Sequence, residues 1–276
     1  MSPEAAGVPR PLAAEWIEAN GAALRYELAG SGRRTLVLVH EMGGSLESWD
    51  FVLPALAERW RVLRYDTRGA GLSEKIRGAL TIETMAEDLR ALLDALGIRE
   101  PVALAGCAVG AAIALHFAAR HPERTAAVVA MAPATGVPPE RRATTLAYAD
   151  RIESEGVRAT IDEGLTGSYP GELRGDAAKF AAFRARRIGN DPRSYAAVYR
   201  MLAGLDMSGD LARIACPTLV ISGTLDRGRP PADGERVARA IRGAKFRTLE
   251  SSHFMAVQTP EPVATAIAGF LAETGY

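Results

Sequence analysis

The chemically most suggestive features of this chain are a glycine-bracketed turn, Leu104-Ala-Gly-Cys-Ala-Val-Gly110, and two distant side chains, Asp226 and His253. A strained strand-to-helix turn that exposes a nucleophile is written G-x-S-x-G. Its central residue takes an unfavourable backbone angle, so the second neighbours on each side must be small to let strand and helix approach. Gly106 and Gly110 are those neighbours here, and they bracket Ala108. Asp226 ends the segment Gly223-Thr-Leu-Asp226, just after the apolar run Thr218 to Ser222. His253 lies in Leu249-Glu-Ser-Ser-His253-Phe, after a weaker run. A histidine so placed accepts the nucleophile's proton, and the aspartate holds its imidazole in the right tautomer and stabilises the charged form. Taken singly, an aspartate or a histidine has a bland explanation in a surface loop or the core. Both on post-strand loops, after such a turn, point to function.

The centre of the turn is the difficulty, because the methyl group of Ala108 cannot attack a carbonyl. Cys107 is the neighbouring alternative. In that register the flanking positions are Ala105 and Val109, and a β-branched valine fits a crowded site poorly. The other reading of Cys107 is a small buried apolar residue, as free cysteine often is. No cysteine or histidine pair has metal-ligand spacing. No phosphate-cradling loop ends in Lys-Ser/Thr, and Gly106 to Gly110 lacks the G-x-G-x-x-G pattern. Neither a metal nor a cofactor is expected.

The elements that must position these residues are legible as apolar runs and helical spacings. Trp16 to Leu28 reads as two short strands joined at Asn20-Gly21, a dipeptide suited to the positive φ angles of a tight hairpin. Thr35 to Val39 is an apolar run of the kind buried on both faces. Similar runs recur at Arg61 to Tyr65, Val102 to Ala105, Ala126 to Met131 and Thr218 to Ser222, with a weaker one at Lys245 to Leu249. Thr81 to Leu96 carries Ile82, Met85, Leu89, Leu92, Leu93 and Leu96 at helical spacing. Ala108 to Ala119 is apolar nearly all round, as a buried helix is, and Pro260 to Leu271 is a helix with proline in its first turn. Alternating strands and helices predict a mostly parallel sheet covered on both faces. The alternation breaks between about Pro138 and Leu211, where the pattern is helical only. Such an insertion is most simply a cap over the sheet's C-terminal edge, where open α/β sheets bind ligands.

Composition narrows the partners. Acidic and basic residues balance at 33 each, so nothing points to nucleic acid or an anionic membrane. Two cysteines are too few for a disulfide framework and suit a reducing cytosol. Met1 to Leu12 has no apolar core of the signal-peptide kind, and no apolar run approaches membrane-spanning length. A cytoplasmic protein with a small-molecule substrate is expected.

The turn, the Asp226 loop and the His253 loop together resemble the α/β-hydrolase superfamily. So does Asp66-Thr-Arg-Gly-Ala-Gly-Leu-Ser73, which is similar to the family's D-x-R-G-x-G-x-S turn, and the resemblance covers nearly the whole chain. Asn190-Asp-Pro-Arg-Ser-Tyr195 to Asp206, with Ile214-Ala-Cys-Pro-Thr-Leu219, resembles the 3-oxoadipate enol-lactonase-like branch. The resemblance implies an α/β-hydrolase fold, with residues 1–135 and 212–276 as core and 136–211 as a helical cap. It implies hydrolysis of a small carboxylate-bearing ester, lactone or amide through a serine at position 108. It also makes the Met42 and Val109 N–H groups the two oxyanion donors.

This chain departs from the family at two places. At position 108, three explanations stand: a Ser-to-Ala change that traps substrate, a protein that lacks this chemistry, or a reaction without serine. The intact remainder favours the first. The alternatives are a C–C bond hydrolase or base-only His/Asp enzyme, and a non-catalytic ligand-binding member. At the oxyanion loop, where the family reads His-Gly, this chain reads His40-Glu41-Met42-Gly43-Gly44. Glu41 either pairs with an arginine or faces solvent, or else touches substrate or tunes His40. In the cap, Arg158, Arg184, Arg186, Arg187, Arg193 and Arg200 are mostly solvated or salt-bridged on helices. One of them, with Arg184 and Arg187 the candidates, reaches inward to a substrate carboxylate, for which the planar guanidinium fork is suited.

Overall fold

The computed structural model describes residues 14–276, so the reading of Met1 to Leu12 lies outside the described residues. Eight strands form one sheet: β1 (Glu15–Ala19), β2 (Ala22–Ala29), β3 (Thr35–Val39), β4 (Arg61–Tyr65), β5 (Val102–Cys107), β6 (Thr125–Met131), β7 (Thr218–Gly223) and β8 (Lys245–Leu249). Their order is β1-β2-β4-β3-β5-β6-β7-β8, antiparallel at the first two pairings and parallel from β4 onward. The hairpin turn has φ of 51° at Asn20 and 68° at Gly21, so the Asn-Gly dipeptide supplies the two positive angles it needs. Every residue of β3, β5 and β7 is buried, as apolar runs covered on both faces require. β8 is an edge strand and largely exposed, which is why its sequence signal is weak.

The helices are α1 (Leu53–Ala57), α2 (Ile82–Ala95), α3 (Val109–Arg120), α4 (Pro139–Glu155), α5 (Val157–Ser168), α6 (Ala177–Ile188), α7 (Pro192–Gly204), α8 (Ser208–Leu211), α9 (Pro231–Ala240), α10 (Met255–Gln258) and α11 (Pro260–Glu273). Thr81 caps α2 by accepting the Thr84 N–H, and the apolar stripe Ile82, Met85, Leu89, Leu92 and Leu93 is buried beneath it. α2, α3 and α9 cover one face of the sheet; α1 and α11 cover the other. Four helices, α4 to α7, and the short α8 lie between β6 and β7, with no strand among them. An isolated β-bridge from Gly136 to Asp206 ties the two ends of this stretch together. α4 packs along α7, and α4 to α7 bury their own apolar cluster, joined by Phe254 and Val257 from beyond β8. No helix among the described residues is long and apolar enough to cross a membrane.

The parallel register decides where chemistry can happen. Val39 pairs with Gly106, Cys107 with Met131, Met131 with Ile221, and Gly223 with Leu249. The C-terminal ends of β3, β5, β7 and β8 therefore share one edge. The loops carrying Met42, Ala108, Asp226 and His253 all leave from it.

Candidate active site

Ala108 stands between β5 and α3 with φ 51° and ψ −112°, a conformation L-residues rarely adopt. The surroundings hold it there. Its N–H donates to Met131 O at 2.9 Å, and its carbonyl accepts from Ala112 N and Ala134 N, each at 3.1 Å. A Cβ at Gly106 would collide with the Gly110 carbonyl, and a Cβ at Gly110 with the Val39 carbonyl. Both contacts are to backbone and cannot swing aside, so the glycine spacing is dictated by the crossing of β5, α3 and the end of β3.

His253 Nδ1 lies 2.7 Å from Asp226 Oδ2, and the Asp226 carboxylate is fully shielded from solvent. Asp226 Oδ1 accepts the backbone N–H groups of Gly228 and Arg229, both at 2.9 Å. An ionised carboxylate is acceptor-only, so Nδ1 carries the proton and Nε2 is the basic nitrogen. Gln258 places the His253 loop: its Oε1 accepts Ser252 N–H at 3.2 Å and Phe254 N–H at 3.0 Å. Its Nε2 donates to Ser168 O at 3.0 Å, and the His253 N–H donates to the same carbonyl at 3.3 Å. The C-terminal end of α5 thus helps to hold the histidine. Gln258 had no sequence signal beyond lying five residues after His253.

Met42, Ala108, Val109 and His253 line one cavity of about 270 Å³. Neither Met42 N–H nor Val109 N–H makes a hydrogen bond to protein among the described residues. Val109 opens α3, where the first N–H groups have no helical partner and the helix dipole favours negative charge.

The remaining expected site residues divide. Arg187, in the last turn of α6, is buried and lines the cavity. Its Nη2 donates to Met42 O at 2.7 Å and to the Tyr195 hydroxyl at 3.1 Å, Nη1 reaches Glu41 Oε1 at 3.4 Å, and its plane lies over the Phe254 ring. Burial alone would lower its pKa; Tyr195 and Glu41 outweigh that and hold it above the usual arginine value. The expected substrate contact of Glu41 is corrected. Its carboxylate accepts from Ser48 Oγ at 3.1 Å and from Arg187, and it does not line the cavity. His40 is occupied by backbone instead, with Nδ1 donating to Glu41 O at 2.7 Å and Nε2 accepting Thr67 N–H at 3.0 Å. Arg184 is corrected as well, since its guanidinium faces outward and pairs in two hydrogen bonds with exposed Asp162, away from the cavity. One helical turn separates it from the inward Arg187. The Cys107 thiol points under the turn and donates to His253 O at 3.2 Å, and burial pushes its pKa well up. A thiol so held is not a nucleophile.

The α/β hydrolase fold family model matches residues 34–260, most of the chain. The chain belongs to the α/β-hydrolase family. Among this α/β-hydrolase's relatives is 3-oxoadipate enol-lactonase 1 of Acinetobacter baylyi, 27% identical over 86% of this chain and 88% of that protein. Pyrrolizixenacetamide deacetylase of Xenorhabdus hominickii is 26% identical over 92% of this chain and 97% of its own length. Among solved structures, the enol-lactonase of Burkholderia xenovorans superposes with a TM-score of 0.88 at 30% identity, covering 94% of this chain and all of that one. A thermophilic esterase of Thermogutta terrifontis, with malate bound, gives 0.88 at 27% identity, covering 95% and 99%. The resemblance to the enol-lactonase branch read from the cap and β7 sequences agrees with these relatives.

Proposed function

We propose that this α/β-hydrolase site is built for acyl transfer from a small ester, lactone or amide that carries a carboxylate, and that Ala108 stands where the nucleophilic serine belongs. One observation carries the reading. The turn keeps a strained backbone, which costs on the order of 1–3 kcal/mol, around a methyl group that gains nothing from it. With serine at 108, the hydroxyl oxygen would attack the acyl carbonyl and His253 Nε2 would take its proton. Met42 and Val109 N–H groups would hold the oxyanion, and His253 would then activate water against the acyl-enzyme. With alanine, the site still binds and polarises the carbonyl, and only water activated by His253 can complete hydrolysis. That second, base-only reading is favoured by Ala108 itself. Residues 136–211 act as the cap, which the helices between β6 and β7 and the bridge at their base support. A small acidic substrate is supported by arginines in the cavity wall and by the malate bound to the Thermogutta esterase. Both thiols are unpaired, which suits a cytoplasmic setting.

The test is turnover of small activated esters and carboxylated lactones by this chain and by Ala108→Ser. Gain of several orders of magnitude supports acyl transfer through position 108. Equal activity in both forms removes serine chemistry and leaves the base-only route.

A further inference from the structure

Four charged side chains besides His253 line the cavity: Arg141, Arg187, Arg229 and Asp233. Arg187 is committed to Glu41, Met42 and Tyr195, and Asp233 forms an ion pair with Arg236. Arg141 sits at the exposed rim, in the first turn of α4. Arg229 is different. It is half-buried, its Nη1 donates only to Pro133 O at 3.3 Å, and no carboxylate lies within ion-pair distance among the described residues. Asp226, on the same loop, has its oxygens occupied by His253 and by two backbone N–H groups, one of them from Arg229 itself. Burial pushes the Arg229 pKa down, and Asp226 and Asp233 offset this in part. Arg229 is thus a cation of the inner cavity wall with no carboxylate partner among the described residues. Tyr199 lines the same cavity, and its hydroxyl makes no hydrogen bond among the described residues.

We infer that Arg229 is the carboxylate anchor of the cavity, receiving the free carboxylate of a short acyl compound in its guanidinium fork with the Tyr199 hydroxyl as a second donor. The inference rests on the reading of this site as one for small acidic acyl compounds, and it names the group that recognises the acid. Two features make Arg229 suited to it. Its backbone is hydrogen-bonded to the acid that orients His253, so the anchor is rigidly registered to the base. The wall also carries Val137, Ile161 and Leu202, apolar side chains that match a short carbon chain. Arg229 follows Asp226 by three residues on the same loop at the ligand-binding edge. That adjacency was the available sequence signal.

Binding can be read without covalent capture of the ligand, because Ala108 forms no acyl-enzyme. Calorimetry with monomethyl glutarate and dimethyl glutarate compares two ligands of similar shape that differ by one charge. The parent chain should bind the monoester about 10- to 100-fold more tightly than the diester. Arg229→Gln should bring the monoester down to the diester's affinity, and Arg229→Lys should keep part of the preference. Equal melting temperatures establish that the variants fold. Charge preference that survives in Arg229→Gln overturns the assignment. So does a parent chain that binds both ligands alike, or neither. If Ala108→Ser fails to hydrolyse the monoester while the Arg229-dependent preference persists, acyl transfer falls and the anchor stands. If Ala108→Ser hydrolyses mono- and diester alike, with or without Arg229→Gln, the anchor falls and the hydrolase reading stands.

Discussion

The loops at the sheet edge and the helices opposite them are held by different forces. Ala108, Asp226 and His253 are placed largely by backbone: carbonyls and N–H groups of β6, the Asp226 loop and α5, with Gln258 as a clamp. The helical side of the cavity is placed by side chains, in a stack of Tyr169, Phe183 and Phe254 with Arg187 over it and a buried Glu41–Arg187 pair. Backbone contacts survive most substitutions, whereas side-chain contacts change with each one. The edge can therefore keep its geometry while the helical insertion varies, and the methyl at position 108 sits within that backbone-held frame.

Five substitutions break or sharpen that contrast. Ala108→Ser tests the edge most directly and should raise ester hydrolysis by on the order of 10⁴- to 10⁶-fold in kcat; no gain would remove serine chemistry and leave the base-only route. In the Ala108→Ser background, Asp226→Asn should then lower kcat by about 10⁴-fold, because the histidine loses its tautomer control. A kcat unaffected by Asp226→Asn would show that His253 is not the base. On the cap side, Arg187→Met leaves the buried Glu41 carboxylate unpaired and should cost about 3–5 kcal/mol of unfolding free energy. Adding Glu41→Gln should recover part of it, and the same pair of variants should weaken oxyanion stabilisation through the freed Met42 loop. Chemical denaturation without such a cost, or without recovery, would remove the buried pair as the latch between cap and edge. The smallest effect belongs to Arg184→Ala, whose partner Asp162 is exposed; melting temperature and monoester affinity should both stay within error. A change in affinity there would return Arg184 to the ligand.

Local sequence determined a good deal of this. Apolar runs without alternation imply strands buried on both faces, and Asn20-Gly21 implies its turn because few residues tolerate two positive φ angles. Gly106 and Gly110 imply the strained turn because no Cβ fits against the backbone that crosses there. Asp226 and His253 were legible because parallel strands send their following loops to one edge, so order along the chain translates into proximity. Side-chain direction on the helical insertion was not legible. Arg184 and Arg187 lie three apart on α6, yet one is at the surface and the other in the core, and only packing against Phe183, Phe254 and Met42 decides which. Glu41 is a similar case: the choice between substrate and arginine depended on where α6 comes to rest above the oxyanion loop. Arg229 was hidden for the same reason. A charge is defined as unpaired only when every neighbour from distant segments is in place, and those neighbours meet only in the folded chain.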